Sequence, residues 1–493
     1  MHRKHAAARS GIWCSVLAVI VAAELWSPAA QAQSTQLFPD DSVAAREALA
    51  RTPELAAAGN HTEAVRVLQD LLELEGDRVI ESTSDKDLFI SVRRRIHETI
   101  MADKVLLERY RTTQGPAAQK LLDEGRWEEV ERSRLLTRAG LEAALRSAQL
   151  HIESARFDAA WLALLEVERH PDRVGNVQGA QDAADVAITL SRYLDRPDVR
   201  ELAKRWASEA GLPEGAAAQV PVRAPEAALV RSISPMDTMD ALDESGMSVS
   251  PLASVAMTPT QASDIDPDAS APLAFAWPTV VGDVAYLNDG QEIGAWDRST
   301  LVPIWKTRLS RPGARDVRTE NDWNPRSGFA TLTMQLEDVC TVSVAGRVAV
   351  AALGYTRANG RDGDSRVVAL DAATGEVLWA VNPASLDRQL SDSGVRGGVD
   401  VVGDVVVVSL RKRGASGRVS SVYLAGLDLS GGRLRWVRPL GSIGLMPYGV
   451  GVRPAQRTLI EGGIIYRADA LGLAAAVEAA TGRTVWVRRL RVA

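Results

Sequence analysis

The sequence predicts a multidomain chain, α in its first half and all-β in its second. Three observations carry that reading. Apolar residues recur three and four positions apart over residues 41–212, alternate over 273–493, and follow no period between 213 and 272. With 493 residues, the chain is too long for one hydrophobic core, so several domains are expected. Hydrophobic residues make up 46% and charged residues 24%, a globular balance with enough apolar material to fill each core.

Residues 1–32 have the layout of a secretion signal. His2, Arg3, Lys4, His5 and Arg9 form a basic start, and an apolar run from Ile12 to Leu25 follows, interrupted by Ser15 and Glu24. Pro28 breaks the run, and Ala30-Gln31-Ala32 is a small-x-small cleavage site. The run is shorter than the roughly 20 residues a membrane span needs. Cys14 lies at its start without small residues before it, so lipid attachment there is not expected. The expectation is export, cleavage after Ala32, and residence in the periplasm or cell envelope. Removing Arg3, Lys4, Arg9 and Glu24 takes the formal charge from −6 to −8. An acidic surface disfavours nucleic acid and anionic membranes. Cys340 is then the one cysteine left, so packing and not a disulfide must hold the fold.

The helical stretch, 41–212, is punctuated by one recurring turn: Gly59-Asn60-His61-Thr62-Glu63-Ala64, Gly125-Arg126-Trp127-Glu128-Glu129-Val130 and Ala155-Arg156-Phe157-Asp158-Ala159-Ala160. A small residue closes one helix and a ring follows two positions later. This pattern resembles the tetratricopeptide family of helical hairpins, with Ala148 and Ala160 at small-residue positions, Phe157 at the aromatic one and Pro171 at a repeat end. The turns are 66 and 30 residues apart and an early Trp is missing, so a plain helical bundle stays open. Trp161, Trp206 and Phe89 are expected in its core.

Residues 213–272 are rich in Pro, Ala, Ser, Thr, Met and Asp, and no Lys or Arg lies between Arg231 and Arg298. Such a stretch cannot bury enough apolar surface to order itself, so a disordered acidic linker and independently moving halves are expected. Asp264, Asp266 and Asp268 alternate like the start of a calcium loop, but the loop glycine and terminal Glu are missing.

From 273 onward, strand–turn–strand units recur: Val280–Leu287 around Gly282-Asp283, Ser343–Val350 around Gly346-Arg347, Val401–Val408 around Gly403-Asp404, and Leu459–Tyr466 around Gly462-Gly463. A second motif follows each. An acid precedes a Trp by eight positions, in the pairs Asp297–Trp305, Asp371–Trp379, Asp428–Trp436 and Glu478–Trp486. Gly stands four after the acid as Gly375, Gly432 and Gly482, whereas the first copy has Leu301. A carboxylate at a strand end accepts turn amides, glycine supplies positive φ, and the Trp on the returning strand can lie between neighbouring sheets.

Residues 273–493 thereby resemble the pyrroloquinoline-quinone-type β-propeller, whose blades carry a tryptophan-docking motif of this form. The resemblance implies about four blades. The Trp residues are 74, 57 and 50 positions apart, and quinoprotein-type propellers usually have seven or eight blades. A small closed ring, an open arc and a shortened sequence all stay open. The open arc is favoured, an incomplete propeller whose bare strand edges invite self-association.

The family has quinone-dependent dehydrogenases and non-catalytic members such as the lipoprotein subunit of the outer-membrane β-barrel assembly machinery. The former would need calcium ligands, a basic residue by the quinone and often adjacent cysteines. This half has only Cys340, and no His follows His170. Arg411-Lys412-Arg413 reads as a solvated hairpin end, and Asn359–Asp364 as a polar loop. No catalytic, cofactor or metal residue is assigned and no cofactor is expected. The reading is a non-catalytic envelope scaffold with protein partners, outer-membrane protein assembly being one setting. Its alternatives are a quinone-dependent dehydrogenase or its fragment, and a carbohydrate- or cell-wall-binding module. Loops 311–338 and 355–365 are the expected recognition loops, with Trp323 as candidate partner contact.

Overall fold

The computed structural model describes residues 37–173, 177–213, 275–276, 278–288, 292–308, 339–353, 366–413, 419–444, 458–469 and 472–490. The expected leader, positions 214–272 of the expected linker, Trp323 and the loop 355–365 lie outside the described residues.

Nine helices form among the described residues: α1 (Val43–Ala57), α2 (His61–Leu74), α3 (Val92–Ala102), α4 (Lys104–Asp123), α5 (Trp127–Ser133), α6 (Arg138–Glu153), α7 (Phe157–Arg169), α8 (Val177–Tyr193) and α9 (Pro197–Glu209). Side-chain caps start several of them. Ser42 accepts from the Ala45 N–H, Asp103 from Val105 and Leu106, and Thr137 from Gly140. The recurring turn of the sequence ends others. Gly59, Gly125 and Ala155 have φ of 75°, 76° and 55°. In each, the N–H groups of that residue and the next reach back into the preceding helix: Gly59 to Ala56 and Asn60 to Leu55, Gly125 to Leu122 and Arg126 to Leu121, Ala155 to Ile152 and Arg156 to His151. This is the Schellman closure, which satisfies the last carbonyls of a helix. Leu68, Ile96, Ile100 and Tyr110 anchor one helical core; Ala148, Ala160, Leu164 and Trp206 anchor another.

The second half builds four antiparallel sheets in chain order. Sheet I is β5 (Thr279–Val281), β6 (Val284–Asn288), β7 (Glu292–Asp297) and β8 (Pro303–Arg308). Sheet II is β10 (Val342–Ala345), β11 (Val348–Leu353), β12 (Arg366–Asp371) and β13 (Val377–Val381). Sheet III contains β14 (Ser393–Val402), β15 (Val405–Arg413), β16 (Val419–Asp428) and β17 (Leu434–Gly444). Sheet IV contains β18 (Thr458–Glu461), β19 (Ile464–Asp469), β20 (Leu473–Glu478) and β21 (Thr484–Arg489). A short parallel pair, β4 (Phe275–Ala276) with β9 (Val339–Cys340), stands apart. The first strands of consecutive sheets touch, β5 to β10, β10 to β14 and β14 to β18. No comparable contact joins sheet IV back to sheet I among the described residues.

Three short strands at the front of the chain revise two expectations. β1 (Leu37–Pro39) pairs with β17, and the hairpin of β2 (Val79–Glu81) and β3 (Leu88–Ser91) pairs through β3 with β21. Sheet III thereby has five strands and sheet IV six. The segment 41–212 is therefore not helical throughout, and the halves are joined by more than a linker. The edge of the last sheet is paired, so it is not the bare edge expected to drive self-association. The cause is local sequence: Val79-Ile80 and Phe89-Ile90 are β-branched or aromatic pairs inside an otherwise helical composition. Phe89, expected in the helical core, instead enters a buried cluster with Val79, Trp436, Leu440, Leu473 and Val487.

Candidate functional site

The docking motifs occupy the turns between the last two strands of each sheet. Asp297 Oδ1 accepts from the Ser299 and Thr300 N–H groups at 3.0 and 2.7 Å and from both hydroxyls. These bonds, the Ser299 hydroxyl foremost, hold its carboxyl at about 2. Asp371 takes the Ala373 and Thr374 N–H groups, and Asp428 those of Ser430 and Gly431. The Ser430 hydroxyl and Arg435 hold Asp428 at about 2. Glu478 is one methylene longer and works differently: it accepts from the Thr481 hydroxyl and from Arg483 at 2.7–2.9 Å. Each turn closes through a 2.8 Å bond from the fourth residue after the acid to the acid's own carbonyl.

The tryptophans bridge sheets. Trp305 Nε1 donates to Ala372 O in sheet II at 3.0 Å, Trp379 to Leu429 O in sheet III at 2.9 Å, and Trp436 to Ala479 O in sheet IV at 2.9 Å. The acceptor is always the residue after the acid of the next sheet. Each indole also lies on the next sheet's glycine. A Cβ on Gly375, Gly432 or Gly482 would stand 2.5, 2.7 or 2.4 Å from the Trp ring, and all three have φ between 67° and 74°. Glycine is needed twice there, for space and for backbone. Leu301 closes the same turn in sheet I with φ 56°, and no indole lies on it among the described residues.

Trp486 repeats the register of the other three, opposite Ala476, and Tyr466 lies 6.3 Å from its ring. Beyond it, Arg488 meets Asp85 at 3.0 Å, and Arg489 meets the Lys86 carbonyl and the Phe89 ring. These partners sit on and around the β2–β3 hairpin. Further in, charges of both halves interlock. Arg483 stands 2.7 Å from Glu478 and 3.8 Å from Glu166 of α7. Asp77 takes Arg93 at 2.7 Å, Arg132 at 2.8 Å and Arg438 of β17 at 3.2 Å. Burial opposes ionisation of Asp77 and Glu166, but the arginines around them outweigh it and keep both carboxyls below their ordinary values. His97, fully buried beside this cluster, is pushed down to about 3 by burial. A cleft of about 560 Å³ is lined by Trp161, Arg196 and Glu201 on the helices and Glu461, Ile464 and Tyr466 on sheet IV.

The basic run Arg411-Lys412-Arg413 forms the last three residues of β15, at the end of its hairpin with β16, and Lys412 donates to Gln389 O and Ser391 Oγ. Among the described residues, no three His, Cys, Asp or Glu side chains are grouped to hold a metal ion, and no helix is long and apolar enough to cross a membrane. The motif residues singled out in the sequence are thus brought together pairwise, sheet to sheet. The clasp formed by Asp77, Asp85 and Glu166 was missed. An acidic loop, 82–87, facing the arginines after Trp486 was the available signal.

Residues 253–492 match a family model described as outer membrane protein assembly factor BamB. No curated protein sequence matches. Solved structures that align include BamB from Moraxella catarrhalis, at 19% identity over 43% of this chain and 47% of that one, TM-score 0.26. Quinohemoprotein alcohol dehydrogenase from Comamonas testosteroni aligns at 15% identity over 43% and 34%, TM-score 0.28, and a europium-containing methanol dehydrogenase at 14% over 44% and 43%, TM-score 0.28. The chain spans less than half the length of each of these structures. Over residues 253–492, just under half of its length, this chain is similar to the pyrroloquinoline-quinone-like β-propeller repeat proteins.

Proposed function

We propose that the protein is a non-catalytic scaffold of the cell envelope that holds other proteins, with outer-membrane protein assembly as its setting. One observation carries this reading: the conspicuous acids, glycines and tryptophans of the repeat are engaged in turns and sheet-to-sheet docking. Among the described residues, these motif groups serve the turns and the docking of one sheet on the next. The family description of residues 253–492 supports the same setting. In this proposal, the four sheets are blades of an incomplete propeller, the helices are tetratricopeptide-like, and residues 1–32 direct export and are removed. The clasp of helices on sheets III and IV makes one composite recognition surface.

The test is affinity capture from envelope extract with the mature chain as bait. Recovery of outer-membrane assembly proteins is expected. Failure to retain any envelope protein, together with robust dye-linked oxidation of alcohols or sugars after loading with pyrroloquinoline quinone and calcium, would replace the scaffold with a dehydrogenase. N-terminal sequencing of the exported chain should begin at Gln33; a retained leader would refute cleavage.

A further inference from the structure

The hairpin turn between β18 and β19 is seated on the helices. Gly462 and Gly463 have φ of 56° and 76°, and a Cβ on them would stand 3.0 Å from Arg196 and 2.9 Å from Asp158. The two walls of the 560 Å³ cleft meet at this contact. One wall is α7 with the start of α9, and the other is the turn with β19, so this chain builds both. Leu162, Leu165, Ile464 and Tyr466 give the cleft a half-buried apolar lining. Four carboxylates and two guanidiniums share that lining. The arginines are already engaged. Arg196 meets Asp198 at 2.7 Å and lies over the Trp161 ring at 5.5 Å, and Arg205 meets Glu168. Glu201 and Glu461 are exposed and have no counter-ion among the described residues. Burial, and next the Glu461 carboxylate, raise the Tyr466 hydroxyl above its ordinary value, so that acid acts on the tyrosine across the cleft lining.

The occupant's chemistry follows from this balance. A neutral apolar occupant would take water from both carboxylates and give them nothing in return. A cation pairs with them and can lie over the Tyr466 ring as Arg196 lies over Trp161. Residues 232–272 of this chain contain no Lys or Arg, so they carry the wrong sign. A space of this size takes a few side chains and not a folded domain.

We infer that the cleft between α7, α9 and sheet IV docks an extended segment of a partner protein that carries arginine or lysine beside apolar side chains. This rests on the scaffold reading and names the chemistry of its partner. The probe is a capped, fluorescently labelled peptide, Leu-Arg-Ile-Arg-Leu, titrated into the full chain and read by anisotropy. Saturable binding at one site is expected. Citrulline in place of its arginines keeps the shape and removes the charge. Glu201→Gln/Glu461→Gln removes the acids instead. Either change should weaken binding about tenfold, as for the loss of two exposed ion pairs. Both acids are exposed, so the variant should melt with the parent chain. Glu47→Gln/Glu142→Gln removes two exposed acids of α1 and α6 and should bind as the parent does, which separates the cleft from general attraction to an acidic protein.

No saturable binding at millimolar peptide, equal binding of the citrulline peptide, or equal weakening by the two double variants overturns the inference. So does binding of a neutral oligosaccharide, chitotetraose, that is lost in Glu201→Gln/Glu461→Gln, because the cleft is then a sugar site. Peptide binding can hold while envelope capture fails, and capture can hold while peptide binding fails, so the two readings are separable.

Discussion

Sheets I and IV come from the same repeat but sit in different mechanical situations. Among the described residues, sheet I docks on sheet II through Trp305 and Tyr286 and leaves Val302 and Ile304 at least half exposed. Sheet IV is held by Trp436 on one side, by β3 along its edge, and by Glu166 and Asp85 at its turn and last strand. The difference teaches that a repeat's stability is set by what borders each unit, as expected when neighbours contribute interface terms. The helical half reinforces sheet IV.

The sharpest way to break this contrast is Gly482→Leu. A side chain there meets the Trp436 ring and sits at φ 68°. Overpacking and left-handed strain together should cost about 4 kcal/mol. Urea unfolding would measure it, and an effect under 1 kcal/mol would show that the indole can move aside. Next, Phe89→Ala removes the hairpin's anchor in the shared core and should cost about 3 kcal/mol. Amide exchange should speed up in β21 and stay unchanged in β7. Equal acceleration in both would show that the sheets open as one unit.

Acid sharpens the contrast further. His97 titrates at about 3 in the fold against an ordinary 6.5, so the unfolded chain binds the proton first. Its contribution is complete above pH 6.5 and is lost as pH falls from there toward 3, at up to roughly 1.4 kcal/mol per pH unit. Asp77 and Glu166, whose carboxyls are depressed, lose theirs below the ordinary carboxylate range. His97→Met should flatten the slope between pH 6 and 4, and an unchanged slope would remove His97 from the account. The smallest expected effect is a gain. Ala155→Gly relieves a left-handed residue and should stabilise by about 1 kcal/mol, without the crowding found at Gly482. A loss on thermal melting would contradict it.

Much of this was legible in the sequence because it is local. The turn Gly125-Arg126-Trp127 closes its helix, Gly403-Asp404 makes its hairpin, and the Asp371–Trp379 spacing produces docking, each within a dozen residues. The clasp was not legible in this way. Arg488 and Asp85 are 403 positions apart, and no period in a sequence reports such a pair. Val79-Ile80 was read with its helical surroundings because a three-residue strand is too short to establish alternation. Arg483 and Arg489 are counter-ions to Glu166 and Asp87, supplied by the other half.

The pairing of β3 with β21 has a kinetic consequence. A chain made from its N-terminus presents Leu88–Ser91 long before Thr484–Arg489 exists. At about 5–20 residues per second, roughly 400 residues separate the two by some 20–80 s. During that wait, the hairpin is an uncovered apolar strand edge, a template for wrong partners. The β3–β21 pairing can therefore form only after β21 has been made, with a long loop to close at that moment.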